Sequence, residues 1–332
     1  MSFSSPWARA RDGHENQNLG LLLMKVLKWL GYTVLALIII SVPAYWWLAM
    51  ESHTPSSAHY SIDMTAVRRL ADADVADLPV EIRVETIGHL LVPEIFAIAG
   101  GGWRKLDMPV SAYEIVYKDQ AVIVDTAFNA DVAKQMGANV FDNAAYARLG
   151  AALATAQLIV VTHEHSDHVG GLLAQPNLND LMAKARLTKV QIAELKKAMR
   201  EAQIFKLNVS PTVFDGYQGI DYEPYQTLAP GVVLIKAPGH TPGSQMVYVK
   251  RADGREILFL GDVAWQMSNI EEVRERARLV TWLAAEDREA VMGEFVELHR
   301  LHSAEPNLNM MPGHDSAELT RFLKAGLLTK GF

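Results

Sequence analysis

The sequence contains no cysteine among its 332 residues. Disulfide bonds and thiolate metal sites are therefore excluded, and any metal ion would have to be held by imidazole and carboxylate groups. Basic residues are also scarce, because 31 Lys and Arg stand against 38 Asp and Glu for a net charge of −7. This balance argues against a nucleic-acid partner, which would require a basic surface. Charged residues make up 21% of the chain and hydrophobic ones 50%, which excludes intrinsic disorder.

Charge is absent from one long stretch near the N-terminus, residues 29–50. A bilayer crossing needs about 20 apolar residues, and this stretch is long enough, with Trp29 at one end and Trp46 and Trp47 at the other. The four basic residues before the stretch are Arg9, Arg11, Lys25 and Lys28, and the next after it is Arg68. The positive-inside rule predicts a single-pass inner-membrane protein whose bulk lies on the periplasmic side.

The alternative for this stretch is a cleaved signal peptide. Ser56-Ser57-Ala58 offers a weak cleavage site, but the apolar core of a signal peptide is only about 7–15 residues long. The length therefore favours a retained anchor. We predict a cytoplasmic tail at 1–28, a transmembrane helix at 29–50, a linker with a short helix at 51–79, and one large domain at 80–332.

The remaining chain mixes apolar strand-like runs with amphipathic helical stretches. Strands are predicted within 80–87, 112–127, 158–162, 232–237, 245–250 and 256–260. Helices are predicted at 62–75, 130–153, from about 170, and at 178–204, 270–284 and 286–302, with a last short helix after 314. Strands alternating with helices indicate a layered α/β arrangement.

The densest group of chemically active side chains follows the apolar strand at 158–162. It reads His163-Glu164-His165-Ser166-Asp167-His168 and holds three of the 11 histidines in the chain. Alternate side chains at a strand end face the same way, so His163 and His165 can reach one metal ion together. The turn that follows brings Asp167 and His168 to a second position nearby. A polar loop of solvated histidines is the alternative, but the density of ligands favours a metal site.

Three further segments place one ligand type just beyond an apolar strand. They contain His240 in PGHTPGS, Asp262 in LGDVAW and His314 in PGHD. Taken singly, each motif is a common turn composition. Functional sites of open α/β sheets gather at the carboxyl ends of strands, so these side chains are predicted to converge on the histidine cluster.

This series of motifs resembles the metal-binding signature of the metallo-β-lactamase-fold hydrolases, over roughly residues 80–332. The resemblance implies a four-layer αββα sandwich, here preceded by one transmembrane helix. It implies that His163, His165 and His240 hold one metal ion, that Asp167, His168 and His314 hold a second, and that Asp262 bridges both. It also matches Asp125, in VIVDTA, to an aspartate that supports a ligand histidine; a turn residue ending a strand is the alternative.

The ligand types suit two Zn²⁺ ions, although other divalent metals share the preference. Two close metals lower the pKa of a shared water and yield a bridging hydroxide, which attacks an acyl or phosphorus centre. Asp167 is expected to carry a proton to the leaving group, and Asp262 is the other residue expected to take part in catalysis. A small-molecule substrate is expected, and a homodimer is compatible with the sequence.

The spacing is most similar to that of N-acyl-homoserine lactonases, which implies a lactone or similar ester as substrate. Those enzymes carry a tyrosine three positions after the bridging aspartate, whereas this chain has Trp265. Trp265 is open to three roles, as a hydrogen-bond donor, an apolar pocket wall or a core residue. The alternatives on the same fold are hydrolysis of phosphodiester, organophosphate or β-lactam bonds, iron-dependent oxidoreduction, and a non-catalytic binding protein.

Overall fold

The computed structural model describes residues 6–57, 59–201 and 207–332, with side chains described from residue 20 onward except at 75 and 76. The chain divides into two compact units, Met1–Met50 and Glu51–Phe332, and each is described by itself. The predicted helical positions 202–204 lie outside the described residues.

The first unit is a single long helix. Helix α1 spans Pro6–Tyr45 and continues as a π-helical turn over Trp46–Met50. Its stretch Gly20–Met50 has 31 residues with a mean hydropathy of 1.9 and buries none of its side chains. The stretch is long and apolar enough to cross a membrane, although signal sequences have the same character. The helix therefore contains the predicted span 29–50 but begins well before it.

The second unit is built on two sheets. The first has the strand order β11-β1-β2-β3-β5 with β4 paired to β1, and the second has the order β10-β9-β8-β7-β6. The strands are β1 (Glu81–Pro93), β2 (Lys105–Val116), β3 (Ala121–Val124), β4 (Val140–Phe141), β5 (Leu158–Val160), β6 (Tyr225–Ala229), β7 (Val232–Lys236), β8 (Gln245–Lys250), β9 (Glu256–Gly261), β10 (Leu308–Pro312) and β11 (Thr329–Lys330).

Eleven α-helices are described in this unit. They are α2 (Met64–Ala71), α3 (Glu94–Ala97), α4 (Ala130–Gln135), α5 (Asn143–Thr155), α6 (Ser166–Leu173), α7 (Leu178–Lys184), α8 (Lys189–Arg200), α9 (Met267–Glu271), α10 (Arg278–Leu283), α11 (Arg288–Ala304) and α12 (Ser316–Lys324). Asp63 caps α2 by accepting hydrogen bonds from the Thr65 and Ala66 amides.

Three hydrophobic clusters define the layers. The inner cluster lies between the two sheets, where Tyr113 of β2 meets Phe259 of β9 with ring centroids 4.5 Å apart. Alternate residues of each strand face the other way, so Ile123 joins a cluster with α4–α8 while its neighbours Val122 and Val124 face the inner cluster. The second sheet packs its outer face against α2, α9 and α11. The predicted four-layer αββα sandwich is therefore confirmed.

Three predicted helices are interrupted. The stretch 130–153 becomes α4 and α5, because β4 lies between them and pairs with β1. The stretch from 178 is interrupted because Ala185 forms a bridge with Ile159 and Thr188 starts a new helix with a capping box to Gln191. The stretch 270–284 is interrupted at Val273, which has a left-handed φ of 49°. In these places long-range contacts override local helical periodicity.

Candidate metal centre

The seven predicted ligand residues lie on four loops that meet at one edge of the sandwich. His163 and His165 follow β5, and Asp167 and His168 stand in the first turn of α6. His240 follows β7, Asp262 follows β9 and His314 follows β10. All of these side chains are buried except that of His165, which is half-buried.

Their ligand atoms form two groups that share one residue. The first group is His163, His165, His240 and Asp262, and the second is Asp167, His168, Asp262 and His314. Within each group the ligand atoms lie within 4.8 Å of one another. These are the two sets that the family resemblance implies, and Asp262 is common to both.

Asp262 turns one carboxylate oxygen toward each group. Its Oδ2 lies 3.5 Å from Nε2 of His240 and 3.9 Å from Nε2 of His163. Its Oδ1 lies 3.2 Å from Nε2 of His168 and 3.1 Å from Nε2 of His314. A carboxylate with this orientation can ligate two metal ions at once.

Buried polar contacts fasten the loop of His240 to the loop of His163 and His165. The Glu164 carboxylate accepts hydrogen bonds from the Thr241 hydroxyl at 3.0 Å and from the Gly243 amide at 3.3 Å. The Gln191 side-chain amide donates to the carbonyls of Val161 and Gly243, at 3.2 and 2.9 Å. The two loops carrying the first group are therefore held as one rigid unit.

Two glycines allow the loops of Asp262 and His314 to approach each other. A Cβ at Gly313 would lie 2.4 Å from Oδ1 of Asp262, so a larger residue cannot precede His314 without displacing this carboxylate. Gly261 has a φ of 53°, and a Cβ there would lie 2.6 Å from the Thr162 side chain. The close approach of neighbouring side chains therefore requires glycine in both the GD and the PGH motif.

The second ring nitrogen of four histidines has a fixed partner. Nδ1 of His168 lies 2.9 Å from the Asp125 carboxylate, and Nδ1 of His163 lies 3.1 Å from the Thr162 hydroxyl. Nδ1 of His240 lies 2.6 Å from the Glu286 carboxylate, and Nδ1 of His314 lies 2.9 Å from the carbonyl oxygen of Pro109. Such partners fix the ring so that the Nε2 lone pair faces a metal.

A fully buried arginine connects two of these positions. The Arg276 guanidinium lies 2.7 Å from the Glu286 carboxylate through Nε and donates through Nη1 to the carbonyl oxygen of Asp262 at 3.1 Å. It also stacks 5.0 Å from the ring centre of Trp265. No sequence pattern distinguishes Arg276 or Glu286, because both belong to charged runs that are typical of a solvated surface.

Trp265 contacts the shared carboxylate directly. Its indole Nε1 donates a hydrogen bond to Oδ2 of Asp262 at 2.7 Å, and the side chain is half-buried. Of the three roles open on sequence grounds, this contact corresponds to the hydrogen-bond donor. The ring also packs against the hydrophobic cluster that Ile123 forms with α4–α8, so packing accompanies the polar contact.

The pKa values of the histidines shift in opposite directions in the two groups. Burial lowers the pKa of His165 to about 4 and that of His163 well below its ordinary value. Burial acts in the same direction on His168 and His314, but the neighbouring carboxylates together raise both pKa values: Asp262 and Asp167 act on both rings, and Asp125 also acts on His168. Against its own burial, the imidazoles of His314 and His168 lower the pKa of Asp262. Metal binding to the second group would therefore displace protons.

The donor set and its unpaired atoms fit metal ions. Nε2 of His163, Nε2 of His168 and Oδ1 of Asp262 are buried without a hydrogen-bond partner among the described residues. Buried polar atoms are normally satisfied, so unpaired ligand atoms in both groups indicate that these residues bind metal. Five imidazoles and two carboxylates suit zinc, as well as iron or manganese.

A buried carboxyl group near the centre gives the protein a predictable pH dependence. Burial raises the pKa of Glu294 to about 8, above the ordinary value of 4.5. Its Oε1 accepts a hydrogen bond from the Gly239 amide at 3.0 Å. The folded state then binds a proton that the unfolded state releases, so this group makes stability fall as pH rises from about 4.5 to about 8.

We expect Glu294→Gln to remove this loss of stability. Relative to the native protein, the Tm of the variant should rise across that pH window and reach a gain on the order of 10 °C above pH 8. Thermal unfolding of the metal-free protein between pH 5 and pH 9 measures the difference. The control is Glu289→Gln, an exposed position on the same helix. Parallel Tm curves for the two variants would contradict the assignment.

Comparison with known proteins agrees with this geometry. The family profile of the Metallo-beta-lactamase superfamily matches residues 106–300, more than half of the chain. An N-acyl homoserine lactonase of a Bacillus species is 30% identical over 113 residues, 34% of this chain and 40% of the relative. A probable metallo-hydrolase of Mycobacterium bovis is 27% identical over 183 residues, 51% of this chain and 57% of the relative. The chain thus matches about half the length of these relatives.

Solved structures share the fold across most of their length. The AiiA protein of Bacillus thuringiensis, solved as a variant with N-decanoyl-L-homoserine at the active site, has a TM-score of 0.57 at 16% identity. An N-acyl homoserine lactone hydrolase with N-hexanoyl-L-homoserine at its catalytic metal centre has a TM-score of 0.55 at 17% identity. Both alignments cover 74% of this chain and 96% of the solved chain. The profile match, the fold and the motif order together show that the chain belongs to the metallo-β-lactamase superfamily.

Proposed function

We propose that this protein is a membrane-anchored hydrolase that uses two metal ions to open a lactone or a similar ester. The observation that carries the proposal is the orientation of Asp262, whose two oxygens face separate histidine groups at 3.1–3.9 Å. A single-metal site would not need a carboxylate shared in this way. The relatives named as lactonases and metallo-hydrolases support the reaction class.

The residues divide between two ions, for which we propose Zn²⁺. His163, His165 and His240 would hold the first ion, while Asp167, His168 and His314 would hold the second, with Asp262 shared. When bound, the pair of ions supplies a hydroxide at neutral pH and a positive field for the oxygen under attack.

The protein groups around the ions orient the ligands and move the proton. Asp125 and Glu286 hold the imidazoles of His168 and His240 in the metal-binding tautomer. Asp167 is 7% exposed, with Oδ2 3.6 Å from Nε2 of His314. We assign to its carboxylate the transfer of a proton to the leaving alkoxide oxygen, because it stands at the edge of the two groups.

Trp265 provides a test of the shared carboxylate. The change Trp265→Phe removes the indole donor to Asp262 but keeps an aromatic ring against Arg276. We expect metal affinity to fall about 10-fold, since partners of metal ligands contribute 10–100-fold. Competition with a chelator measures the affinity, and Trp103→Phe, at an exposed position, is the control. Equal affinities in the two variants would assign Trp265 to packing alone.

The substrate is tested on the full chain in lipid nanodiscs, loaded with zinc. The panel contains lactones, aryl esters, a phosphodiester, an organophosphate triester and a β-lactam, with the Asp262→Ala variant as background. We expect the highest turnover on a lactone or ester. Lactone turnover at the background rate would overturn this substrate class, and preference for another bond would assign one of the alternatives. Bound iron with substrate-dependent oxygen uptake would indicate an oxidoreductase.

We also propose that the N-terminal helix is retained as a single-pass anchor in the inner membrane, with the tail at 1–28 in the cytoplasm and the metal centre on the periplasmic side. The apolar stretch Gly20–Met50 and the basic residues before position 29 support this arrangement. Membrane fractionation with alkaline extraction should leave the full-length chain in the membrane. A shortened chain in the soluble periplasmic fraction would show that the segment is a signal peptide.

A further inference from the structure

We propose that α10 carries a membrane-docking patch, formed by Trp282 and Leu283 with Trp103 beside the start of the helix. These side chains would insert into the interfacial layer of the bilayer that holds the N-terminal span. The inference rests on the proposed membrane anchoring and does not depend on the identity of the substrate. The proposed partner of the second unit is a lipid surface.

The exposure of these side chains is the first observation. Among the described residues of 51–332, the three most exposed large hydrophobic side chains are Trp282 at 73%, Trp103 at 66% and Leu283 at 58%. They belong to one region, because the Ala277 amide before α10 donates to the carbonyl oxygen of Phe96, whose ring lies 6.4 Å from that of Trp103. Tryptophan is enriched at the membrane–water interface, where its ring is apolar and its N–H remains hydrated.

The second observation is that the chain following the apolar stretch contacts α10. Glu51, the first residue after the apolar stretch, forms an ion pair with Arg278 at the start of α10. Arg288 adds a hydrogen bond to the carbonyl oxygen of His53 at 3.3 Å. Because Glu51 directly follows the apolar stretch, α10 contacts the chain next to the end of that stretch. With the proposed anchor in the membrane, this face of α10 would lie near the bilayer.

The helical repeat places Trp282 of the patch close to Arg278, which pairs with Glu51. Arg278 and Trp282 are four residues apart, so they share one face of α10 with Cβ atoms about 6 Å apart. Trp282 thus lies one helical turn from the residue that holds Glu51. Lipid would be the nearest partner of this face under the proposed anchoring, and we therefore assign the patch to lipid.

The patch is also tied to the metal centre. Arg276 precedes α10 and Glu286 follows it, and their buried ion pair closes the segment at its base. Glu286 contacts His240, and Arg276 contacts the backbone of Asp262. Because α10 is only about 9 Å long, docking would hold the metal centre close to the lipid surface.

The absence of cysteine makes the test direct, since a single introduced cysteine is the only labelling site. The full chain is reconstituted in vesicles of phosphatidylethanolamine and phosphatidylglycerol, with an NBD fluorophore at Trp282→Cys or, as a second variant, Leu283→Cys. The matched control is Ala325→Cys, an exposed position next to Arg255 at the opposite end of β9 from Asp262. The anchor control is Leu35→Cys within the apolar stretch.

We expect labels at 282 and 283 to show blue-shifted emission and at least 3-fold weaker quenching by aqueous iodide than the label at 325. Quenching at 282 and 283 equal to that at 325, with the label at 35 protected, would overturn the docking patch and leave the anchor standing. An unprotected label at 35 would overturn the anchor and the patch together. Hydrolysis measured on the same samples reports the chemistry separately.

Discussion

Replacing Asp262 by alanine should empty both halves of the metal centre. Its two oxygens face different histidine groups, so the change removes one carboxylate ligand from each group. We expect metal content to fall from two ions per chain to fewer than one, and kcat to fall by about 1,000-fold or more. Metal analysis after gel filtration and turnover of the best panel substrate measure the two effects.

The control for this prediction is Asp142→Ala. Asp142 caps α5 by accepting hydrogen bonds from the Ala144 and Ala145 amides, so its loss should lower stability by about 1 kcal/mol. Metal content and kcat should be unchanged. If Asp262→Ala kept both ions or most of its activity, the shared-carboxylate arrangement would be wrong.

The second large effect is expected at Arg276. The change Arg276→Met leaves the Glu286 carboxylate fully buried with the His240 ring as its remaining polar partner. Burial acts to raise the pKa of Glu286, and it is the Arg276 guanidinium and His240 that hold this pKa below its ordinary value. Breaking a buried ion pair by removing one partner costs about 3–5 kcal/mol, which corresponds to a fall in Tm on the order of 10 °C.

Two further variants separate charge from packing at this pair. Arg276→Met combined with Glu286→Gln removes the unpaired charge, so we expect it to recover part of the lost Tm. Arg321→Met breaks an exposed pair with Glu318 and should change stability by less than about 1 kcal/mol. If all three variants lost equal stability, the buried pair would have no special role.

Arg276→Met should also weaken metal binding, because Arg276 supports His240 through Glu286 and Asp262 through its backbone carbonyl. A purely structural role would lower Tm without changing affinity below the unfolding transition. Chelator competition at a temperature well below the Tm distinguishes these outcomes. The double variant, which keeps a neutral hydrogen-bonding group opposite His240, is expected to recover affinity only in part.

Local patterns in the sequence were sufficient for the elements of the fold that depend on short-range signals. Short apolar runs predicted β7, β8 and β9, because such a run is a property of neighbouring residues. The interruptions of the helices could not be predicted from local sequence. The breaks at Ala185 and Val273 arise where a distant strand or a buried loop competes with local periodicity.

The candidate site was predictable to the extent that its residues follow strands. Because strand ends of a sheet meet at one edge, the order of His163, His165, His240, Asp262 and His314 was enough to expect convergence. The supporting residues were not predictable in this way. Glu286 and Arg276 lie in charged helical segments, and the carbonyl oxygen of Pro109 that faces His314 is a backbone group with no sequence signal.

By itself, the sequence determined the types of ligand, their order along the chain and the apolar N-terminal stretch, because composition and spacing are properties of the chain. Only the tertiary structure decided how these residues are used. It turned the two oxygens of Asp262 toward different groups, brought Trp265 to one of them, and closed the α10 segment with a buried ion pair. Such contacts join residues whose positions depend on the packing of the whole domain, and local sequence cannot encode them.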